Sequence, residues 1–297
     1  MAKINILVAI DDPDWSSILV HTLFNVINKE NSRIILLNVI ETTPTEKEYF
    51  YKNPEKFISH EAKKAKFAYI ENFLETNNFD YSFIFEEGDA ADHIVNTAKN
   101  LKIDLVVVGS HNKKIFERLF LGSVAYKVLR LSPCSVLIVS SKYHIHNVRK
   151  KEFNVLLAVN GSESSLDAAR KLGEIIDTER AKVYVLNARI PAYDIIPPEA
   201  QIYVDMEKLN EESAHVSQEM LDKAAKILEE KGITSIEKLS LCGKPAPVIL
   251  DYAERNSIDL IVMGSLGKKD VATLLLGSTS AKVTERSEVP VLVIKSI

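Results

Sequence analysis

Short continuous runs of apolar residues alternate along the chain with stretches where apolar positions recur every third or fourth residue. The runs at 6–10, 34–37 and 105–108 have the character of parallel strands covered on both faces. Between them, Leu19, Leu23, Phe24 and Ile27 mark one amphipathic helix, and Phe57, Ala62, Ala65, Tyr69 and Phe73 a longer one. Ile94, Ala98 and Leu101 mark a third. Leu166, Ala169, Leu172 and Ile176, then Leu209, Val216, Met220 and Leu228, repeat the spacing in the second half. Strands alternating with helices through short connections predict parallel sheets built from right-handed crossovers, with helices on both faces.

The pattern is written twice. Asp104-Leu-Val-Val-Val-Gly-Ser110 returns as Asp259-Leu-Ile-Val-Met-Gly-Ser265, a shift of 259 − 104 = 155. Leu119-Phe-Leu-Gly-Ser123 returns as Leu274-Leu-Leu-Gly-Ser278, Gly88 as Gly243, and the run 136–139 as 291–294, all with the same shift. The opening strand, Asn5-Ile-Leu-Val-Ala-Ile10, returns as Asn154-Val-Leu-Leu-Ala-Val159 at 154 − 5 = 149. The second copy thus carries 155 − 149 = 6 extra residues, expected in the Pro-containing stretch 190–204. So long a period, present twice, is a duplicated domain and not a solenoid. The expected units are 1–140 and 153–297, each with five strands, joined by a polar linker at 141–152.

With 297 residues, 46% of them apolar and 26% charged, the chain has the balance of an ordinary water-soluble protein. The formal charge of −4 offers no basic excess for a nucleic-acid partner. No apolar run approaches the ~18 residues of a membrane span, and the first strand is cut by Asp11 and Asp12 with no cleavage signal, so the expected location is the cytoplasm. Cys134 and Cys242 are too few for a disulfide framework and read as inert core thiols.

In an open parallel sheet, ligands bind beyond the carboxyl ends of the strands, near the point where strand order reverses. The glycines gather at those ends. Gly109-Ser-His-Asn112 is followed after nine residues by Gly122-Ser123, and Gly264-Ser-Leu-Gly267 after nine by Gly277-Ser278. A Gly-Ser pair opening a helix offers bare N–H groups, a hydroxyl and the positive end of the helix dipole, which suits a phosphate. The plainer reading is that the glycines make tight turns and that Ser123 and Ser278 cap helices. His144 and His146 could form a metal pair, but they sit in the linker with no evident third ligand. His111, Lys113, Lys114, Arg118, Lys268 and Lys269 flank the glycine loops and read as solvated. Trp15 follows the first strand and reads as packing. Phosphate-loop, nucleophile-elbow and Cys-x-x-Cys motifs are all missing, so any ATP hydrolysis should be slow.

The Gly-x-x-Gly-x9-Gly-Ser spacing after a buried strand resembles the nucleotide signature of the universal stress protein family. The first strand ending in Asp11, Gly88-Asp89-Ala90-Ala91 before a helix, and the terminal strands of both copies are similar to it too. The resemblance covers almost the whole chain and is to a tandem member. It implies two α/β/α sandwich domains, each a five-stranded parallel, Rossmann-like sheet of order 3-2-1-4-5. It also implies an adenine nucleotide ligand, ATP or AMP, with or without Mg2+. By position, Asp11 would face the adenosine, with Asn160 replacing it in copy two. Val39 and Ala188 would meet the adenine edge, while Gly109, Gly122 and Ser123, with Gly264, Gly267, Gly277 and Ser278, would hold ribose and phosphates. Asn112 stands where the signature has its second glycine, and its side chain takes up room. The implied role is a stress-response regulator in which nucleotide shifts a conformation or assembly. The alternatives are an interaction protein with empty pockets, or a weak ATPase or autophosphorylating protein. Terminal edge strands pair between domains in this family, which implies an internal pseudo-dimer and leaves a homodimer open.

Overall fold

The computed structural model describes residues 3–41, 64–110, 121–140, 143, 150–265 and 276–296. Copy one contributes β1 (Ile4–Ile10), α1 (Pro13–Val26), β2 (Ser32–Ile40), α2 (Ala68–Thr76), β3 (Asp80–Glu87), α3 (Ala90–Asn100), β4 (Leu105–Gly109), α4 (Ser123–Leu131) and β5 (Ser135–Val139). Copy two contributes β6 (Phe153–Ala158), α5 (Glu163–Ile175), β7 (Ala181–Arg189), the short helices α6 (Ala192–Ile195) and α7 (Pro198–Gln201), then α8 (Met206–Glu230) and β8 (Ser235–Cys242). It closes with α9 (Pro245–Arg255), β9 (Leu260–Gly264), α10 (Ser278–Arg286) and β10 (Val291–Ile294).

The five strands of each copy pair in parallel, in the order expected. Strand pleating sends successive side chains to opposite faces. Ile6 and Val8 therefore join one apolar layer with α1 and α2, while Leu7 joins the other with α3 and α4. Copy two fills the same two layers with α5 and α8 on one face and α9 and α10 on the other.

The terminal strands meet. β5 and β10 pair antiparallel, Leu292 opposite Leu137, and fuse the two sheets into one of ten strands, β3-β2-β1-β4-β5-β10-β9-β6-β7-β8. An edge strand carries unpaired backbone groups that need covering. Each copy here covers the other's edge, which is the internal pseudo-dimer. A second contact lies between the ends of α1 and α5, where Ile27 and Ile176 form an antiparallel bridge and Asp177 N–H donates to Val26 C=O at 2.9 Å. The Arg180 guanidinium donates to the carbonyls of Asn25 (2.8 Å) and Lys150 (2.7 Å). From copy two, the Lys295 ammonium reaches the Ser132 carbonyl at 2.6 Å.

The extra residues of copy two enter at two places. Phe79 N–H donates to Leu74 C=O, and Ile233 N–H to Leu228 C=O, so the shift between copies here is 228 − 74 = 154. It becomes 235 − 80 = 155 at the start of β8. Five residues (154 − 149) thus enter between β7 and the second half of α8, where α6 and α7 lie, and the sixth is Thr234. The expectation of all six within 190–204 is corrected to that extent. One cysteine is corrected as well: Cys134 is buried, but Cys242 is exposed at the end of an outer strand, where no core covers it.

Candidate functional site

Four chain segments converge at the carboxyl end of the first sheet. β1 ends at Ile10, whose carbonyl accepts from the buried Asn38 carboxamide at 2.9 Å. That bond ties the end of β1 to β2 and leaves Asp11 exposed at the rim. Asp12 caps α1, its Oδ1 accepting from the N–H groups of Asp14 and Trp15, both at 3.1 Å. On the far side of the point where strand order reverses, Ser110 N–H bonds Val139 C=O at 2.8 Å, and Gly122 N–H returns to Ser110 C=O at 3.3 Å. The start of α4 is thereby fixed against the end of β4.

Between these segments lies a cavity of about 590 Å³, within the ~300–1,000 Å³ usual for small-molecule sites. Asp11, Val39, Gly109, Gly122 and Ser123 all line it, so five of the six site residues expected in copy one are brought together. The sixth, Asn112, lies outside the described residues, as do Gly267, His111, Lys113, Lys114, Arg118, Lys268, Lys269, His144 and His146. Trp15 also lines the cavity and rests on Gly109, where a Cβ would stand 2.0 Å from the indole Nε1. Only a glycine at the end of β4 leaves room for that ring. Lys66 and Glu41, which the sequence reading missed, complete the wall.

The caps settle the role of the serines. Gly122 and Gly277 are the N-caps of α4 and α10, and among the described residues no side chain caps either helix. Ser123 and Ser278 are the first helical residues, with exposed side chains, so the plainer reading of them as caps is corrected. The opening N–H groups of α4 receive no side-chain cap among the described residues, and they lie on the rim of a cavity and at the positive end of a dipole. Such a wall favours an anion. Asp11, Asp12 and Glu41 make the opposite wall acidic and suited to accepting hydrogen bonds from hydroxyl or amino groups.

Copy two repeats three of these backbone ties. Asn187 donates to Val159 C=O at 2.7 Å, Ser265 N–H to Ile294 C=O at 2.8 Å, and Gly277 N–H to Ser265 C=O at 2.8 Å. Gly264 takes the place of Gly109, with Ser164 in that of Trp15; a Cβ there would stand 2.4 Å from Ser164 Oγ and 2.6 Å from its carbonyl oxygen. Asn160 is exposed, and its Oδ1 accepts from both the N–H (3.1 Å) and hydroxyl (2.7 Å) of Ser162. Ala188 lies in β7, half-buried.

The universal stress protein family pattern matches this chain twice, over residues 4–140 and 153–295. The chain belongs to the universal stress protein family. A universal stress protein of Methanocaldococcus jannaschii is 34% identical over 167 residues, covering 54% of this chain and 94% of that protein. One of Bacillus subtilis is 33% identical over 143 residues, covering 45% and 96%. Each thus matches about half of this tandem universal stress protein. The crystal structure of a universal stress protein from Archaeoglobus fulgidus aligns over 98% of both chains, with a TM-score of 0.66 and 23% identity, a likeness of fold. Among the described residues no helix of this family member is long and apolar enough to cross a membrane, and no cluster of three or more His, Cys, Asp or Glu could hold a metal ion.

Proposed function

We propose that the chain is a cytoplasmic stress-response regulator that binds an adenine nucleotide, ATP or AMP, at the carboxyl ends of its sheet strands. The observation that carries this reading is the cavity uniting Asp11, Val39, Gly109, Gly122 and Ser123. The helix N-terminus on its rim suits phosphates, its apolar strand ends suit a base, and the Asp11 carboxylate suits ribose hydroxyls. Asn160, Ala188, Gly264, Gly277 and Ser278 form the matching frame in copy two. The ligand acts as an effector, shifting the balance between conformations or assemblies by its differential affinity. The two functional units are 1–140 and 153–297, with 141–152 between them.

A ligand bound only by the native state stabilises it by mass action, by about 2.7 kcal/mol at a hundredfold excess over Kd. Millimolar MgATP or AMP should therefore raise the melting temperature, and Gly122→Val should remove most of the rise by filling the approach to the α4 amides. No shift with ATP, ADP or AMP, together with no nucleotide released on denaturing the purified chain, contradicts the reading.

A further inference from the structure

We infer that copy one alone holds the nucleotide, because the Met220 side chain occupies the corresponding mouth in copy two; this rests on the nucleotide-binding reading above. The equivalence follows from the 154-residue shift established along α2 and α8. Phe67 and Leu221 are the matching buried residues, at 2% and 0% exposure, which sets Lys66 against Met220. In copy one, Lys66 is exposed and lines the cavity. In copy two, the Cγ and Sδ of Met220 lie 2.9 Å from where a Cβ on Gly161 would stand, and Sδ is 3.9 Å from the Asn187 amide nitrogen.

Those contacts join the loop after β6 to the end of β7, the two segments whose counterparts, Asp11–Asp12 and Asn38–Val39, flank the open cavity of copy one. Gly161, at φ +71°, has no side chain of its own to fill the gap. The thioether fills it, since methionine is unbranched and adapts to irregular space. Charge changes in the same direction. Lys66, an ammonium able to meet phosphate, is replaced by a neutral sulfur. Copy two has Arg189 in the place of Ile40, and its guanidinium donates to Ser240 Oγ at 2.8 Å. Asn160, which replaces the Asp11 carboxylate, spends its carbonyl oxygen on Ser162.

Isothermal titration of the full chain with MgATP and with AMP tests this. One nucleotide per chain is expected. Lys66→Met, which writes the copy-two residue into copy one, should weaken binding about tenfold or more through the lost charged contact. Met220→Ala should add a second, weaker site and raise the stoichiometry to two. Two sites in the unaltered chain, or a stoichiometry still at one in Met220→Ala, would each overturn the assignment. Absence of any saturable heat with the unaltered chain is a different result: it removes the nucleotide reading itself and this inference with it.

Discussion

The two copies share a frame and differ in what stands inside it. Asn38 and Asn187 pin the same carbonyls, and Gly122 and Gly277 return to the same serine carbonyls. Yet the helix after the first strand presses an indole onto Gly109 in one copy and a serine backbone onto Gly264 in the other. Backbone bonds that build the crossover are retained through duplication, whereas the side chains facing the crevice have diverged. The lesson is that a duplicated signature specifies the place of a site and leaves its occupancy to residues outside the signature.

The largest expected effect concerns what the copies have in common. Leu137 and Leu292 face each other where β5 meets β10, each at 1% exposure. Truncating either to Ala should cost about 2–5 kcal/mol. Because the apolar layers run through both copies, chemical denaturation should remain a single transition, whichever copy carries the change. Two separated transitions would show that the copies fold independently.

A smaller effect separates them. Gly264→Ala drives a methyl group against backbone atoms of Ser164, and Gly109→Ala drives one against the movable Trp15 ring. Overpacking typically costs about 1–3 kcal/mol. The Gly264 variant should lie toward the upper end of that range in thermal melts, and the Gly109 variant toward the lower, with altered tryptophan emission. The reverse order would contradict the packing described.

The smallest is acid sensitivity. His21 in α1 is buried against Phe73, with ring centroids 4.1 Å apart, and its Nδ1 has no hydrogen-bond partner among the described residues. Its counterpart in copy two, Arg170, is a half-buried cation paired with Glu163 and Asp167. Burial holds the His21 pKa below its ordinary 6.5. The folded chain therefore keeps the imidazole neutral, while the unfolded chain takes up a proton as pH falls through 6.5. Stability contributed by this group is intact above 6.5 and is lost below it, until the folded imidazole also protonates, at about 1.4 kcal/mol per unit of depression. Melting temperatures of the unaltered chain and of His21→Leu should diverge below pH 6.5 and run parallel above it. Parallel curves throughout would remove His21 as the source.

Much of the architecture was legible. Continuous runs such as 6–10 marked strands covered on both faces, and the repeated Asp104 and Asp259 segments exposed the duplication. The glycine spacing located the crevice, because strand-to-helix turns that crowd a backbone demand glycine whatever surrounds them. Lys66 and Met220 were not legible. Lys66 sits in the turn before α2 and Met220 within α8, aligned at a shift of 154 between strands aligned at 149 and 155, and only backbone hydrogen bonding reveals that frame. Tyr69, Leu101 and Val216, read from their spacing as apolar helix positions, misled in another way, being exposed. Periodicity reports which residues could be buried, while burial also requires a surface to cover them.

Trp15 is the chain's one tryptophan, and it stands in the wall of the copy-one cavity. Titrating the unaltered protein with AMP while following its emission reads that cavity and no other. A saturable change, abolished in Gly122→Val, is the predicted result. A flat trace, alongside binding detected by calorimetry, would place the nucleotide elsewhere and contradict the site described.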